Sequence, residues 1–210
     1  VLDLARGDIL GIEEVGDHVT HLKKGDRVGV GWQCNSCHHC EYCMGGNHQN
    51  CSQQQATCVG RNGGYADAII VDADFAITIP ENLKSESAAP MMCGGITVYT
   101  PIAEYTKPSD KVAVVGIGGL GHFAVLFAAA RGCEVTAITT HPEKKQELFD
   151  MGVEHVIDAK DEQALKNAAG SFDAILNTAP ANLDWSAYLS MLRPTGTFVQ
   201  LGAGTNMEFP

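Results

Sequence analysis

Four thiols in one short loop pose the first chemical question. The pattern Cys37-x2-Cys40-x2-Cys43-x7-Cys51 gives two-residue gaps that let consecutive sulfurs converge on one ion, and a longer gap that lets the chain return with the fourth. Zinc accepts four thiolates tetrahedrally, and a closed four-sulfur shell leaves no position for water, so the expected role is structural. The intervening residues Gly45 to Asn50 hold little apolar material. The metal would therefore supply the folding energy of this lobe, on the order of 10–16 kcal/mol in small peptide cases. Reduced thiols or a redox pair are the alternative. Cys34 is a spare thiol, and His38, His39 and His48 read as polar loop residues rather than ligands.

A second constellation follows an apolar run. Lys111 to Val115 (KVAVV) leads into Gly116-Ile117-Gly118-Gly119-Leu120-Gly121, a G-x-G-x-x-G turn with helical sequence behind it. In such a loop the first glycine permits a tight turn, the second lets backbone approach a pyrophosphate, and the third allows close helix–strand packing. The new helix points its free N–H groups and its positive end at the phosphates. A fortuitous glycine turn is the alternative. The end of the next strand reports which dinucleotide is bound. An NAD site carries a carboxylate there for the ribose 2′-OH. This chain has Thr139-Thr140-His141, then Lys144 and Lys145, so hydroxyls and a cation are available for a 2′-phosphate. A charge-assisted bond of this kind contributes roughly 1.5–3 kcal/mol. The expected cofactor is NADP(H), against an ordinary surface loop with a solvated lysine pair and with Glu143 nearby. Cys93 stands alone in an apolar stretch, where a cysteine is usually a buried packing residue.

The elements that must hold these groups fall into two styles. Up to about residue 80 the chain is rich in glycine and β-formers, with strands expected over 26–30, 65–71 and 75–79. From 111 onward, strands (111–115, 134–139, 155–158, 172–177, 197–201) alternate with helices (122–131, 142–151, 162–169, 185–192). Regular β-α alternation with short connections means a parallel, doubly wound α/β sheet. The expected domains are 1–95 and 96–210. The 210 residues are 45% hydrophobic and 19% charged, which fits globular folding. A net charge of −11 opposes nucleic acid or an anionic membrane as the main partner. No run approaches the roughly 18 apolar residues of a membrane span, and the expected location is cytoplasmic. Eight cysteines, five of them between 34 and 51, point to a metal rather than a disulfide framework.

Taken together, the segments GDRVGVGW, SCHHCEYCMGGNHQNC, VGRNGGYAD, MMCGGITVY and KVAVVGIGGLGH resemble the zinc-containing medium-chain alcohol dehydrogenases. The branch they are most similar to is that of the NADPH-dependent aldehyde reductases related to cinnamyl alcohol dehydrogenase. The resemblance implies a partial GroES-like β domain with a zinc lobe, followed by a Rossmann domain of five strands where the family has six. It implies Cys37, Cys40, Cys43 and Cys51 as structural zinc ligands and Cys93 as one ligand of a second, catalytic zinc. Cofactor contacts are implied at Thr97, Gly116 to Gly121, Thr139, Thr140, His141, Lys144, Thr178 and Gly202. The reaction implied is hydride transfer between NADP(H) and a small aldehyde or primary alcohol. The implied assembly is a homodimer paired through the strand not found here. The family's other catalytic-zinc ligands are an earlier Cys and a Gly-His-Glu motif. The earlier Cys has no counterpart in this sequence, and the stretch Ala5-Arg6-Gly7-Asp8-Ile9-Leu10 holds no His. The chain thus reads as shortened at both ends and inactive by itself. The other reading is a non-catalytic zinc- and nucleotide-binding fragment.

Overall fold

The computed structural model describes residues 2–3, 9–64 and 66–204. The stretch read for a Gly-His-Glu motif, including Gly7 and Asp8, lies outside them except for its last two residues. The chain divides into two compact units, Val1–Cys93 and Gly94–Pro210. Among the described residues no helix is long and apolar enough to cross a membrane.

The first unit is an antiparallel sheet with a two-stranded excursion. Its strands are β1 (Leu2–Asp3), β2 (Ile9–Ile12), β3 (Arg27–Val30), β4 (Gln33–Asn35), β5 (Gln55–Ala56), β6 (Ala68–Ile69) and β7 (Ala76–Thr78). The larger sheet runs β6-β1-β2-β3-β7, and β4 pairs with β5. Leu10, Ile12, Leu22, Val28, Val30, Cys34 and Ala76 form its core. In the middle of β3, Gly29 is there for space: a Cβ would collide with the Met92 sulfur. Arg27, the first residue of that strand, donates to the carbonyls of Pro80 and Leu83, both at 2.6 Å. Of the strand expected over 65–71, Tyr65 lies outside the described residues, and the rest forms strand only at Ala68–Ile69. Its continuation is broken because the Ile70 carbonyl accepts from the Arg61 guanidinium instead of a neighbouring strand.

The second unit is the expected doubly wound sheet. Strands β8 (Lys111–Val115), β9 (Glu134–Thr139), β10 (His155–Asp158), β11 (Phe172–Asn177) and β12 (Leu192–Gln200) lie in the order β10-β9-β8-β11-β12. Every pairing is parallel. Period-2 alternation serves two cores. Val112 and Val114 face one layer with Val98, Ile102 and Val125. Ala113 and Val115 face the other with Leu165, Ile175, Tyr188 and Met191. A strand buried on both faces reads as a continuous apolar run, which is why KVAVV was legible. The crossing order reverses between β8 and β11, and the crevice at their carboxyl ends is where open α/β sheets bind ligands.

The helices expected to end at 169 and 192 stop at Asn167 and Ser190, and three starts also differ from expectation. The helix after the glycine loop begins at Gly119 rather than 122, because the loop glycines themselves take helical geometry. The helix expected from Pro142 opens as a 3-10 turn, Pro142–Lys144, before the α-helix Lys145–Asp150. The last strand starts at Leu192, not 197. Leu192 already pairs with Phe172, and the chain then bulges through Pro194 and Gly196 before Thr197 pairs with Ala174. Thr195 reaches φ 69 within that bulge. Pro194 and Gly196 therefore mark an irregular excursion of the strand, not its outer limit.

Candidate functional site

The lobe is built to bring sulfurs together. Cys40 precedes a one-turn helix, α1 (Glu41–Met44), so Cys40 and Cys43 stand three residues apart on one face. A 3-10 turn, His48–Asn50, then delivers Cys51. The four sulfurs lie within 4.8 Å of one another. Cys37 Sγ is 3.9 Å from Cys43 Sγ, and Cys40 Sγ is 3.5 Å from it. A tetrahedron of ~2.3 Å Zn–S bonds has edges of about 3.8 Å, so the donor set and its spacing fit zinc. Backbone donors also favour thiolates: Cys40 N–H points at Cys37 Sγ (3.3 Å) and Gln53 N–H at Cys51 Sγ (3.4 Å). The His39 backbone N–H, with that of Cys40, holds Cys37 down to about 6. Ser36 lowers Cys43. Cys40 is pushed up to about 11: the Cys43 backbone N–H alone would lower it, but burial and the neighbouring sulfurs outweigh that.

The spare groups sort themselves. Cys34 is buried and outside the four-sulfur group, with the Arg61 guanidinium 2.7 Å from its sulfur. His39 is exposed and pairs with the Cys37 carbonyl at 2.6 Å. His48 Nδ1 lies 2.9 Å from Ser36 Oγ. None of the four apolar clusters of the described residues draws a member from the stretch between 35 and 68. The lobe has no hydrophobic core to hold it.

The glycine loop is shaped by packing. Gly116 has φ 80, and a Cβ there would press on Ala179 at 2.9 Å. A Cβ at Gly121 would collide with the Gly116 carbonyl oxygen, and one at Gly202 with the Ala179 carbonyl. Thr178 Oγ1 donates to the Gly116 carbonyl at 2.5 Å, with the Val115 carbonyl at 3.1 Å. Gly116, Gly121, Thr178 and Gly202 thus form one interlocked turn. Gly118 and Gly119 have open space where a side chain would project. Gly118 caps the twelve-residue helix Gly119–Ala130 without a side-chain bond, leaving the first-turn N–H groups for an anion. These features fit a pyrophosphate. Ile117 and Leu120 spend their side chains on the core.

At the end of β9, Thr139 is buried and its Oγ1 accepts from the His141 backbone N–H at 3.1 Å. Thr140 and Lys144 are exposed. His141 Nδ1 pairs with Glu143 Oε1 at 3.1 Å. Glu143 is held below the usual carboxylate range, first by its own backbone N–H and then by His141. Two groups were not read from the sequence. Asn177 is buried at the end of β11, donates to Gln200 Oε1 at 2.7 Å and accepts from Ala179 N–H at 3.1 Å. His122 Nδ1 bonds the Gly118 carbonyl at 2.8 Å. The available signal was a polar residue closing an apolar run (FDAILN, TFVQ) and an imidazole one turn into the helix.

Cys93 is exposed, which removes the packing reading of a lone cysteine. Among the described residues it belongs to no group of three metal-ligating side chains. Thr97 is half-buried on the helix Gly94–Tyr105 and lines a cavity of about 280 Å³ with Ile96, Pro101, Val199 and Leu201.

Comparison with known proteins agrees with both units. Residues 7–81 match the alcohol dehydrogenase GroES-like domain, and 119–210 match the zinc-binding dehydrogenase family. The chain is 41% identical over 192 residues to an aldehyde reductase of Synechocystis, covering 91% of this chain and 57% of that one. Cinnamyl alcohol dehydrogenase from Sorghum bicolor superposes with a TM-score of 0.89 at 37% identity, over 96% of this chain and 61% of that one. A second such enzyme, from Helicobacter pylori in complex with NADP(H), gives a TM-score of 0.83 at 34% identity, over 94% and 59%. The chain spans about 57–61% of the length of these relatives. With a four-cysteine lobe on a GroES-like sheet in one unit and a five-stranded Rossmann sheet in the other, the chain belongs to the zinc-containing medium-chain alcohol dehydrogenase family, in the branch of the cinnamyl alcohol dehydrogenases and aldehyde reductases.

Proposed function

We propose that this chain is the zinc-lobe and dinucleotide-binding portion of an NADP(H)-dependent reductase of small aldehydes, working reversibly on primary alcohols. The observation that carries the reading is the nucleotide crevice: space above Gly118 and Gly119, uncapped N–H groups behind it, and no carboxylate at the end of β9. The Helicobacter pylori relative bound to NADP(H) supports the same cofactor. Cys37, Cys40, Cys43 and Cys51 hold a structural zinc, and Cys93 gives one ligand toward a catalytic one. A catalytic zinc acts as a Lewis acid on the carbonyl oxygen. The chain's own residues do the rest. The glycine loop fixes the pyrophosphate, Thr140 and Lys144 receive the 2′-phosphate, and Thr97 borders the nicotinamide. Thr178 and Gly202 keep the loop in shape. The proposed setting is cytoplasmic, with the intact protein a homodimer.

Cofactor choice is tested by fluorescence titration with NADPH and NADH. NADPH should bind more tightly, and Lys144→Gln should weaken it about tenfold with little change for NADH, as expected when one charge-assisted bond is lost. Tighter NADH binding by the unaltered chain overturns the assignment.

A second reading, a non-catalytic zinc- and nucleotide-binding module, is favoured for residues 1–210 in isolation. Cys93 belongs to no group of three metal-ligating side chains among the described residues, and an open zinc site needs three protein ligands. Losing about 5 kcal/mol of transition-state stabilisation costs on the order of several thousand-fold in rate. After dialysis the isolated chain should keep one zinc and bind NADPH while oxidising it only at trace rates with aromatic or aliphatic aldehydes. Two retained zinc ions with robust turnover would discard this reading.

A further inference from the structure

We infer that His38, Asp72 and Asp74 form a second, exchangeable site for a divalent cation, which clamps the cysteine lobe to the neighbouring turn of the β domain. One nitrogen of His38 and one oxygen of each aspartate lie within 4.8 Å of one another. His38 sits between Cys37 and Cys40, inside the lobe. The aspartates belong to a different element, the 3-10 turn Ala73–Phe75, where Asp72 is the N-cap and accepts from the N–H of Asp74 within the turn. The imidazole stands between the two carboxylates: Nε2 is 3.1 Å from Asp72 Oδ2 and Nδ1 is 3.6 Å from Asp74 Oδ2. His38 adopts φ 61, and the rings of His48 and Phe75 pack around it at 5.6 and 5.9 Å. A further imidazole borders the site, with His21 Nε2 4.0 Å from Asp74 Oδ1.

The donor set differs in kind from the lobe beside it. Four thiolates make a soft, closed shell. One imidazole and two carboxylates make a harder, open one, suited to zinc, cobalt or manganese with water in the remaining positions. Two carboxylates held two residues apart repel each other, and a divalent charge relieves that repulsion more fully than one imidazole can. Half-exposed ligands keep exchange fast, so this cation binds more weakly than the lobe's zinc. Its structural effect is to join a loop lacking an apolar core to a turn that belongs to one. Ala73 packs on the core of the first unit.

The experiment starts from the chain with zinc in its lobe, dialysed to remove loose metal, and titrates it with Co²⁺ by calorimetry and absorption. One further equivalent should bind. Its spectrum should show only weak visible bands, without the intense near-ultraviolet charge-transfer absorption of a cobalt–thiolate bond. Asp74→Asn should weaken binding at least tenfold. So should His38→Asn, chosen because Asn tolerates the left-handed backbone. Both variants should retain the lobe's zinc, which shows that they are folded there. Cys93→Ser should bind as the unaltered chain does. The proposal fails if no further equivalent binds, if Asp74→Asn and His38→Asn bind like the unaltered chain, or if the added cobalt shows thiolate absorption or is lost only in Cys93→Ser. In those outcomes the cluster is an ion-paired histidine and nothing more.

Discussion

The lobe and the glycine loop both await a ligand, yet they reach their geometry by opposite routes. The lobe's converging groups are side chains: four sulfurs on a one-turn helix and a 3-10 turn, with no apolar cluster drawing on residues 35 to 68. The glycine loop's groups are backbone, and its shape is imposed by what it rests on. Gly121 fits under the Gly116 carbonyl, Thr178 bonds that same carbonyl, and two buried cores flank the strands behind. A site of the first kind needs its ligand to fold. A site of the second kind is ready before the ligand arrives.

The largest test of that contrast removes a ligand atom from the lobe. Cys43→Ser opens the shell, and the energy at stake is that of a structural zinc, on the order of 10–16 kcal/mol in peptide cases. Zinc should be lost and residues 35–58 should become protease-sensitive, while NADPH affinity stays within about twofold. Stoichiometric zinc retention in the variant would refute the four-thiolate assignment. Collapse of NADPH binding would refute the independence of the two sites.

The reverse experiment acts on the loop. Gly121→Ala places a methyl against the Gly116 carbonyl, which is backbone and cannot swing aside. Overpacking of this sort costs about 1–3 kcal/mol and displaces the loop, so NADPH binding should fall steeply and the melting temperature should drop. Gly118→Ala adds its methyl to open space. It should leave the melting temperature within about a degree or two but still weaken NADPH, because the methyl occupies the pyrophosphate's approach. Equal melting temperatures for the two variants would break the claim that packing, rather than ligand, sets this loop. In both, zinc content should be unchanged.

What the sequence made legible follows the same division. KVAVV followed by glycines announces itself because a doubly buried strand must be largely apolar and the turn beneath the helix tolerates no Cβ at Gly116 or Gly121. The cysteine spacing is legible because ligand convergence dictates short gaps. Features settled by tertiary contacts were not legible. The bond that Thr139 Oγ1 accepts from His141 N–H, which leaves its O–H to donate elsewhere, has no signature in the sequence. The 65–71 strand ends early because Arg61 captures a carbonyl nine residues away. Asn177 closes an apolar run and gives no hint that it will be buried against Gln200. Cys93 lies in a stretch of apolar residues and yet is exposed, since burial there depends on how the chain turns after the 3-10 segment Ala89–Met92.

The smallest effect probes where the ready-made unit still depends on charge. β12 leaves regular pairing at Arg193, and Asp173 on β11 holds it there. Arg193 Nη1 reaches both carboxylate oxygens, at 2.9 and 2.7 Å, while Lys111 N–H donates to Oδ2 at 2.8 Å. Burial alone would raise the Asp173 pKa, but the Lys111 N–H and the Arg193 guanidinium outweigh it and hold the carboxyl below its ordinary range. A depressed folded-state pKa means that the unfolded chain takes up the proton first. The stabilisation is therefore complete above the unfolded value of about 4, and it is lost as the pH falls from there through the lower folded value. Both side chains are partly exposed, so the pair contributes at most about 1 kcal/mol. Asp173→Asn keeps an acceptor for Lys111 but discards the charge. At pH 7 it should lower the stability of the second unit by no more than that amount. As the pH falls from about 4 through the lower folded-state value, the variant and the parent should converge in urea midpoints, because protonation then does to the parent what the substitution did to the variant. A difference that persists or widens in acid would mean that shape, not charge, holds the bulge, and the second unit would then owe nothing at this strand to electrostatics.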